Sequence, residues 1–210
     1  MPNDHPIFLE SIRQIQERLG ETGLDPLQEM VLQRLIHSSG DFGLASLVRF
    51  SSGACDLGLA ALQAGAAILT DTTMAAAAVV PMARRTLKTE VRSVLSWAPD
   101  QAPAGSTRAA LGLELAWLEC TVALDQKPPP LVLIGSAPTA LDALLKLVAD
   151  GAPPPSLVIG MPVGFVGVAE SKRRLAISGL PQIRLEGSRG GAGLVAASVN
   201  ALLRASCLAA

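Results

Sequence analysis

The sequence predicts an α/β fold: a three-layer sandwich with helices on both faces of a mostly parallel sheet of about five strands, and two helices ahead of it. Two observations carry this. Residues 157–175, LVIGMPVGFVGVAESKRRL, pass from an apolar β-like run through a turn with glycines at 160, 164 and 167 into a charged helix start. Residues 131–148, LVLIGSAPTALDALLKLV, repeat the plan with an apolar run, a turn containing Gly135 and an amphipathic helix. Two such units in tandem mean parallel strands, because a parallel neighbour is reached only through a crossover. Ligands in such sheets sit beyond the carboxyl ends of the strands.

The other elements follow in chain order. Ile7, Ile12, Ile15 and Leu19 recur among charges at helical spacing, and Leu27, Val31 and Leu35 do so over residues 26–38, giving the two leading helices. Short apolar runs then come at residues 47–50, 66–70, 91–95, 131–134, 157–159 and 183–185, most of them followed by helical patterns. Thr139 and Asp142 have the spacing of a capping box, with Pro138 suited to a first turn, so a helix start is expected there. Proline-rich stretches at 99–103, 128–130 and 153–155 read as surface connections, since helical or strand patterns resume within a few residues. Residues 1–210 therefore read as a single domain.

Composition excludes several classes of function. Hydrophobic residues make up 50% of the chain and charged ones 17%, with mean hydropathy +0.41, yet aromatics are only 3% and tyrosine is absent, so the core must be Ala, Leu and Val. That balance leaves apolar residues to spare, which a second subunit would cover; a homo-oligomer is expected. The most apolar region, residues 64–83, is interrupted by Asp71 and several threonines, so no membrane span is expected. The first residues, MPNDHPIFLESIRQIQERL, lack the basic-then-apolar order of a secretion signal, and a cytoplasmic location is expected. Cys55, Cys120 and Cys207 lie far apart with no CxxC, which argues for reduced thiols. A net charge of −1 with scattered basic residues gives no nucleic-acid footprint.

Nucleotide motifs fail on inspection. GAGLVA at 191–196 has the glycine spacing of a dinucleotide fingerprint, but no acidic ribose partner follows about 20 residues later. GMPVGFVG lacks the GK[ST] of a phosphate loop; its glycines, Gly164 among them, suit a backbone that a bulky ligand approaches, with helix amides aimed at an anionic group. His37, in QRLIHSSGD, ends the second helix and is the best candidate acid. Arg34 stands three residues earlier on the same face, so a carboxylate held there would lie near the imidazole. The helix C-terminus favours the protonated ring while Arg34 opposes it. Asp71 ends an apolar run in the crevice zone, where it serves either as a site carboxylate or as the N-cap of a helix beginning near Thr72 or Thr73. Cys55 has no assignable histidine partner, which favours packing over nucleophilic chemistry. Arg84, Arg85, Lys88 and Arg92 form one basic run and Lys172, Arg173 and Arg174 another, both expected to be solvated faces. Arg108 differs, because a cation opening a helix opposes the dipole; an anionic partner would explain it.

Taken together, RLIHSSGD, ILTDTTM, GSTRAAL, IGSAPTAL and IGMPVGFVGVAESK closely resemble the precorrin-8X methylmutase family, in the family's order and over nearly the whole chain. The resemblance implies a flavodoxin-like fold, a homodimer and an isomerase of cobalamin biosynthesis. Such an enzyme moves the methyl group at C11 of an anionic tetrapyrrole, precorrin-8X or cobalt-precorrin-8, to C12 without a metal or organic cofactor. His37 matches the family's catalytic histidine, the proton donor. Ser11, Arg34 and Arg108 match substrate-contacting positions, and the matching motifs add Asp71, Thr72, Ser136 and Gly164 to the substrate site. The chain departs from many relatives at Ser136, where they have Asn, and at EGSRGGAG, where Glu186 precedes a loop that is basic in the family. A corrinoid carrier without turnover is the alternative from the binding class, and a hydrolase using Cys55 or Asp71 is a more remote one.

Overall fold

Both leading helices form where the apolar spacing places them. In the computed structural model, which describes residues 5–122 and 127–208, α1 spans Pro6–Leu19 and α2 spans Pro26–Ser39. Each has proline in its first turn, where the missing N–H has no helical partner to lose. Asp25 caps α2 by accepting from the Gln28 amide, and Gly40, at φ 69°, stops it while donating to the Ile36 carbonyl. This stop leaves His37 in the last turn.

The sheet has six strands rather than about five. They are β1 (Val48–Phe50), β2 (Ile68–Thr70), β3 (Val91–Ser93), β4 (Leu131–Ile134), β5 (Leu157–Gly160) and β6 (Gln182–Leu185), in the order β1-β6-β5-β4-β2-β3. The last five in sequence are mutually parallel, while β1 pairs antiparallel with β6 through Val48↔Leu185 and Phe50↔Ile183. The parallel set runs in the doubly wound, flavodoxin-like order, and β1 is an added edge.

Helices cover both faces. On one, α2, α3 (Ala54–Gln63), α4 (Thr73–Arg85) and α8 (Ala192–Ala205) pack around Leu35, Leu62, Val79 and Leu202; on the other, α5 (Arg108–Val122), α6 (Pro138–Ala149) and α7 (Val168–Ile177) pack around Leu113, Trp117, Leu144 and Leu175. The pleat distributes β4 between them: Leu131 and Leu133 join the first cluster, Val132 and Ile134 the second. Both β4 and β5 are buried throughout, as parallel strands covered on two faces require.

The expected capping box at α6 does not form, although Pro138 does open the helix. Its N-cap is Ala137, without a side-chain bond. Thr139 instead shares a 2.7 Å hydrogen bond with Thr107, and Asp142 pairs with Arg174 at 2.6 Å, so tertiary partners take both residues. The start of α6 is served by Asp71, whose Oδ2 accepts from the amides of Gly135 (3.0 Å), Ser136 (2.6 Å) and Ala137 (2.9 Å). The cap of α4 is accordingly Thr72, accepting from the Ala75 amide, rather than Asp71. Burial pushes the Asp71 carboxyl above its usual range, and the three amides pull against that shift.

Replacing Asp71 by Ala removes the acceptor of three amides. Asp71→Ala is expected to lower the unfolding free energy by about 3 kcal/mol or more, whereas Asp71→Asn, which keeps a carbonyl oxygen, costs about 1 kcal/mol. Urea unfolding of both variants with an unchanged slope measures this, and equal losses would contradict the role of the oxygen as acceptor.

Candidate active site

The carboxyl ends of β2 and β4 flank the point where strand order reverses, the usual ligand crevice of such a sheet. Here Asp71 fills it. The side chain is fully buried, so the contact with substrate expected of it is replaced by an internal one. Gly135 is required beside it, because a Cβ there would meet the Ala192 backbone nitrogen at 2.7 Å. Thr72 and Ser136 are half-buried at this same edge, and Gly164 lies in the turn after β5 with φ +136°.

His37 is placed by the two leading helices. Its Nδ1 lies 2.8 Å from Ser11 Oγ on α1, and the Phe8 ring stands edge-on to the imidazole, with centroids 5.1 Å apart and planes at 84°. Phe8 and Ser11 share one face of α1 because they are three residues apart. The Arg34 and Arg204 guanidiniums lie over the same phenyl ring at 4.9 and 5.2 Å. Burial and then Arg34 hold the His37 pKa below its ordinary value, so the opposition between helix terminus and Arg34 resolves toward the neutral ring. Ser11 also fixes which nitrogen is offered. If its hydroxyl donates to Nδ1, the neutral ring carries its hydrogen on Nε2; if the ring is protonated, Nδ1–H donates to Ser11 and Nε2–H remains. In both of these states Nε2 presents a proton; a neutral ring donating from Nδ1 to Ser11 would leave Nε2 bare, and protonation of the ring restores the Nε2 hydrogen.

Two glycine-containing loops meet beside this helix end. The Gly164 amide donates to the Ser188 carbonyl at 3.1 Å and the Gly191 amide to Met161 at 2.9 Å, joining the loop after β5 to the loop after β6. Gly190 permits the approach, since a Cβ would fall 1.9 Å from the Met161 carbonyl oxygen. Arg189 then pairs with Asp41, just past the end of α2, at 3.2 Å. The rim of the first loop is apolar and open: Phe165 is 93% and Val166 89% exposed. Glu186 is held by Arg49 at 2.8 Å and Arg184 at 3.4 Å, which offsets the negative charge of its loop.

Arg108 sits apart from His37, at the start of a helix on the opposite face of the sheet. It donates through Nε to the Pro99 carbonyl at 2.8 Å and is exposed. The basic run at 172–174 is not one solvated face: Arg173 pairs with Glu170 and Arg174 with Asp142, but Lys172 is buried. Cys55 is buried too, its thiol pushed up to about 12 chiefly by desolvation, and is unsuited to nucleophilic work.

A family model described as precorrin-8X methylmutase matches residues 6–205. The chain belongs to the precorrin-8X methylmutase family. It is 40% identical to the precorrin-8X methylmutase of Pseudomonas aeruginosa over 93% of each protein. It is 35% identical to the cobalt-precorrin-8 methylmutase of Synechocystis sp. over 97% of this chain and 96% of that one. A crystal structure of the precorrin-8x methyl mutase from Thermus thermophilus matches with TM-score 0.86 and 39% identity, covering 98% of this chain and 99% of that chain. Membership makes the chain a methylmutase, an isomerase of cobalamin biosynthesis. Beside the methylmutase motifs, sequence reasoning missed Phe8, Arg204 and Lys172. The spacing of Phe8 to Ser11 was the one available signal.

In the ligand-free protein His37 is expected to titrate below about 6.5, and Arg34→Gln should raise that value. Nitrogen-detected NMR of the imidazole across pH reads both. A free-protein value above the ordinary one would overturn the assignment of burial and Arg34 as its causes. Because this histidine has a depressed pKa in the folded state, its contribution to stability is present above the unfolded pKa and is lost as pH falls through the folded one.

Proposed function

We propose that this chain converts precorrin-8X or cobalt-precorrin-8 to hydrogenobyrinate or cobyrinate by moving the C11 methyl group to C12, with His37 as the acid. The carrying observation is the Ser11 to His37 bond, which engages Nδ1 and leaves Nε2 for the ligand at an exposed helix end; once the ring is protonated, Nε2–H is the donor. A 1,5-sigmatropic shift forms no enzyme-bound nucleophile; the site has to polarise the ring system and hold it still. Protonation by Nε2 withdraws electron density from the conjugated macrocycle. The bond from C11 to the methyl group then breaks as the bond to C12 forms, and the proton returns to the imidazole, so atoms and charge balance. Binding the acetate and propionate groups near Arg34 would raise the His37 pKa and restore the charged acid in the complex. Arg34, Arg108 and the helix amides suit several separate carboxylates.

In the same reading the joined loops around Gly164 are the floor under the flat macrocycle, with Thr72 and Ser136 at its edge and Asp71 acting from beneath by fixing the turn that carries Ser136. The 210 residues work as one domain, in the cytoplasm and as a homodimer, without a metal or organic cofactor. Among the described residues no helix is long and apolar enough to cross a membrane. The dimer is supported by side chains left uncovered, such as Leu115, Leu118 and Val122 along one face of α5, at 42, 55 and 88% exposure.

His37→Ala is expected to lower turnover of the tetrapyrrole by about 10² to 10⁴-fold while product still binds, as judged by its visible spectrum. Ser11→Ala, which frees the imidazole to rotate, should cost about tenfold in kcat with little change in KM. Unchanged turnover in His37→Ala would sink the assignment of the acid, whereas a wild type that binds the product but converts no substrate would favour a carrier.

A further inference from the structure

Lys172 is a charged side chain at 3% exposure. Its Nζ donates to two backbone carbonyls of the loop after β6, Gly187 at 2.8 Å and Arg189 at 2.7 Å. A methylene chain of the same volume without the charge would fill this space with no desolvation cost, so the ammonium is explained by what it orients. Two carbonyls turned toward one cation fix the path of residues 187–189. That path sends the Ser188 carbonyl to the Gly164 amide and the Arg189 guanidinium to Asp41. Asp41 lies four residues beyond His37.

We propose that Lys172 is a positioning residue for the methyl transfer, clamping the loop after β6 so that both glycine loops form one floor at a fixed place relative to His37. This rests on the reading of the loops as the substrate floor. Burial pulls the ammonium down to about 8, which makes the clamp weaken as pH rises past that value. A cavity of about 240 Å³ beside it is lined by Arg173 of α7, Arg184 of β6 and Glu186 of the loop, while the Arg189 guanidinium pairs with Asp41. Guanidinium and carboxylate groups do not ordinarily titrate between about pH 7 and 9.5. Changes in that window that vanish when Lys172 is replaced therefore report Lys172.

The test compares the wild type with Lys172→Met, following conversion of the tetrapyrrole substrate, binding of the corrinoid product and amide hydrogen exchange at Gly164 and Gly191. Lys172→Met should raise KM and the product Kd about tenfold or more while kcat changes by less than about threefold. The wild-type KM should climb above about pH 8, and that of the variant should not. A variant with lower kcat and unchanged KM, or a wild-type KM flat to about pH 9.5, overturns the proposal. If Lys172→Met does not fold, Lys172→Arg takes its place: it keeps the cation without titrating in this range, so its KM should stay flat where that of the wild type climbs, and parallel profiles reject the proposal. If the wild type converts no substrate, the methyl-transfer reading fails separately, and exchange judges the clamp. Loss of protection at Gly164 and Gly191 above about pH 8, beyond the intrinsic rate, supports it, and constant protection rejects it.

Discussion

The Asp71 carboxylate at the start of α6 is the interaction on which the site's architecture depends. A helix N-terminus offers unpaired amides and a positive dipole, and at a switch point these ordinarily await a ligand's phosphate. In this chain the anion comes from the protein. Oδ2 gathers three successive amides, which sets the turn after β4, and that turn brings Gly135 against the first residues of α8 and Thr139 against Thr107. One buried side chain thereby ties β2, β4, α6 and, through contact, α8. It also removes the most obvious phosphate position, so the failed nucleotide motifs have a structural counterpart. The open space is left to the loops after β5 and β6.

A second constraint is how an acid on a peripheral helix pair is held against the sheet. α2 is fastened along its length by apolar packing on α8, and its end is fixed by the Gly40 stop, the pair between Asp41 and Arg189, and the short antiparallel strand β1 that follows. The last two of these attachments are to β6 or its loop. The imidazole is positioned by the same segment that closes the floor, which is why a buried lysine on α7 can matter to chemistry at the end of α2.

Much of this was legible in the sequence, because period and run length are local properties. The spacing of Ile12, Ile15 and Leu19 and the six apolar runs placed α1 and every strand. The run at 47–50 marked β1, but the count of about five left one run outside the sheet, and that β1 joins as an antiparallel edge is set by β6, far away in the chain. The failures share that cause. Thr139 and Asp142 had the local spacing of a cap, but Thr107 and Arg174 compete for them from other helices. Lys172 stood in a run that reads as solvated, and only the fold shows that one member of the three points inward. Asp71 was visible as a crevice residue, yet its partners lie more than sixty positions away. His37, Arg34 and Ser11 were legible through the family motifs, whereas Phe8 became meaningful once its ring was seen beside the imidazole.

Phe165 and Val166 stand almost fully in water on the rim of the first loop. Leaving such surface hydrated carries a thermodynamic signature, since its removal from water changes the heat capacity whatever the enthalpy of the polar contacts. A flat ligand laid over these two side chains would bind with a negative heat-capacity change. Its binding enthalpy would then grow more favourable on warming, while the affinity moved comparatively little because entropy compensates. Calorimetry at two temperatures would thus distinguish a macrocycle resting on this rim from one held by its carboxylates alone.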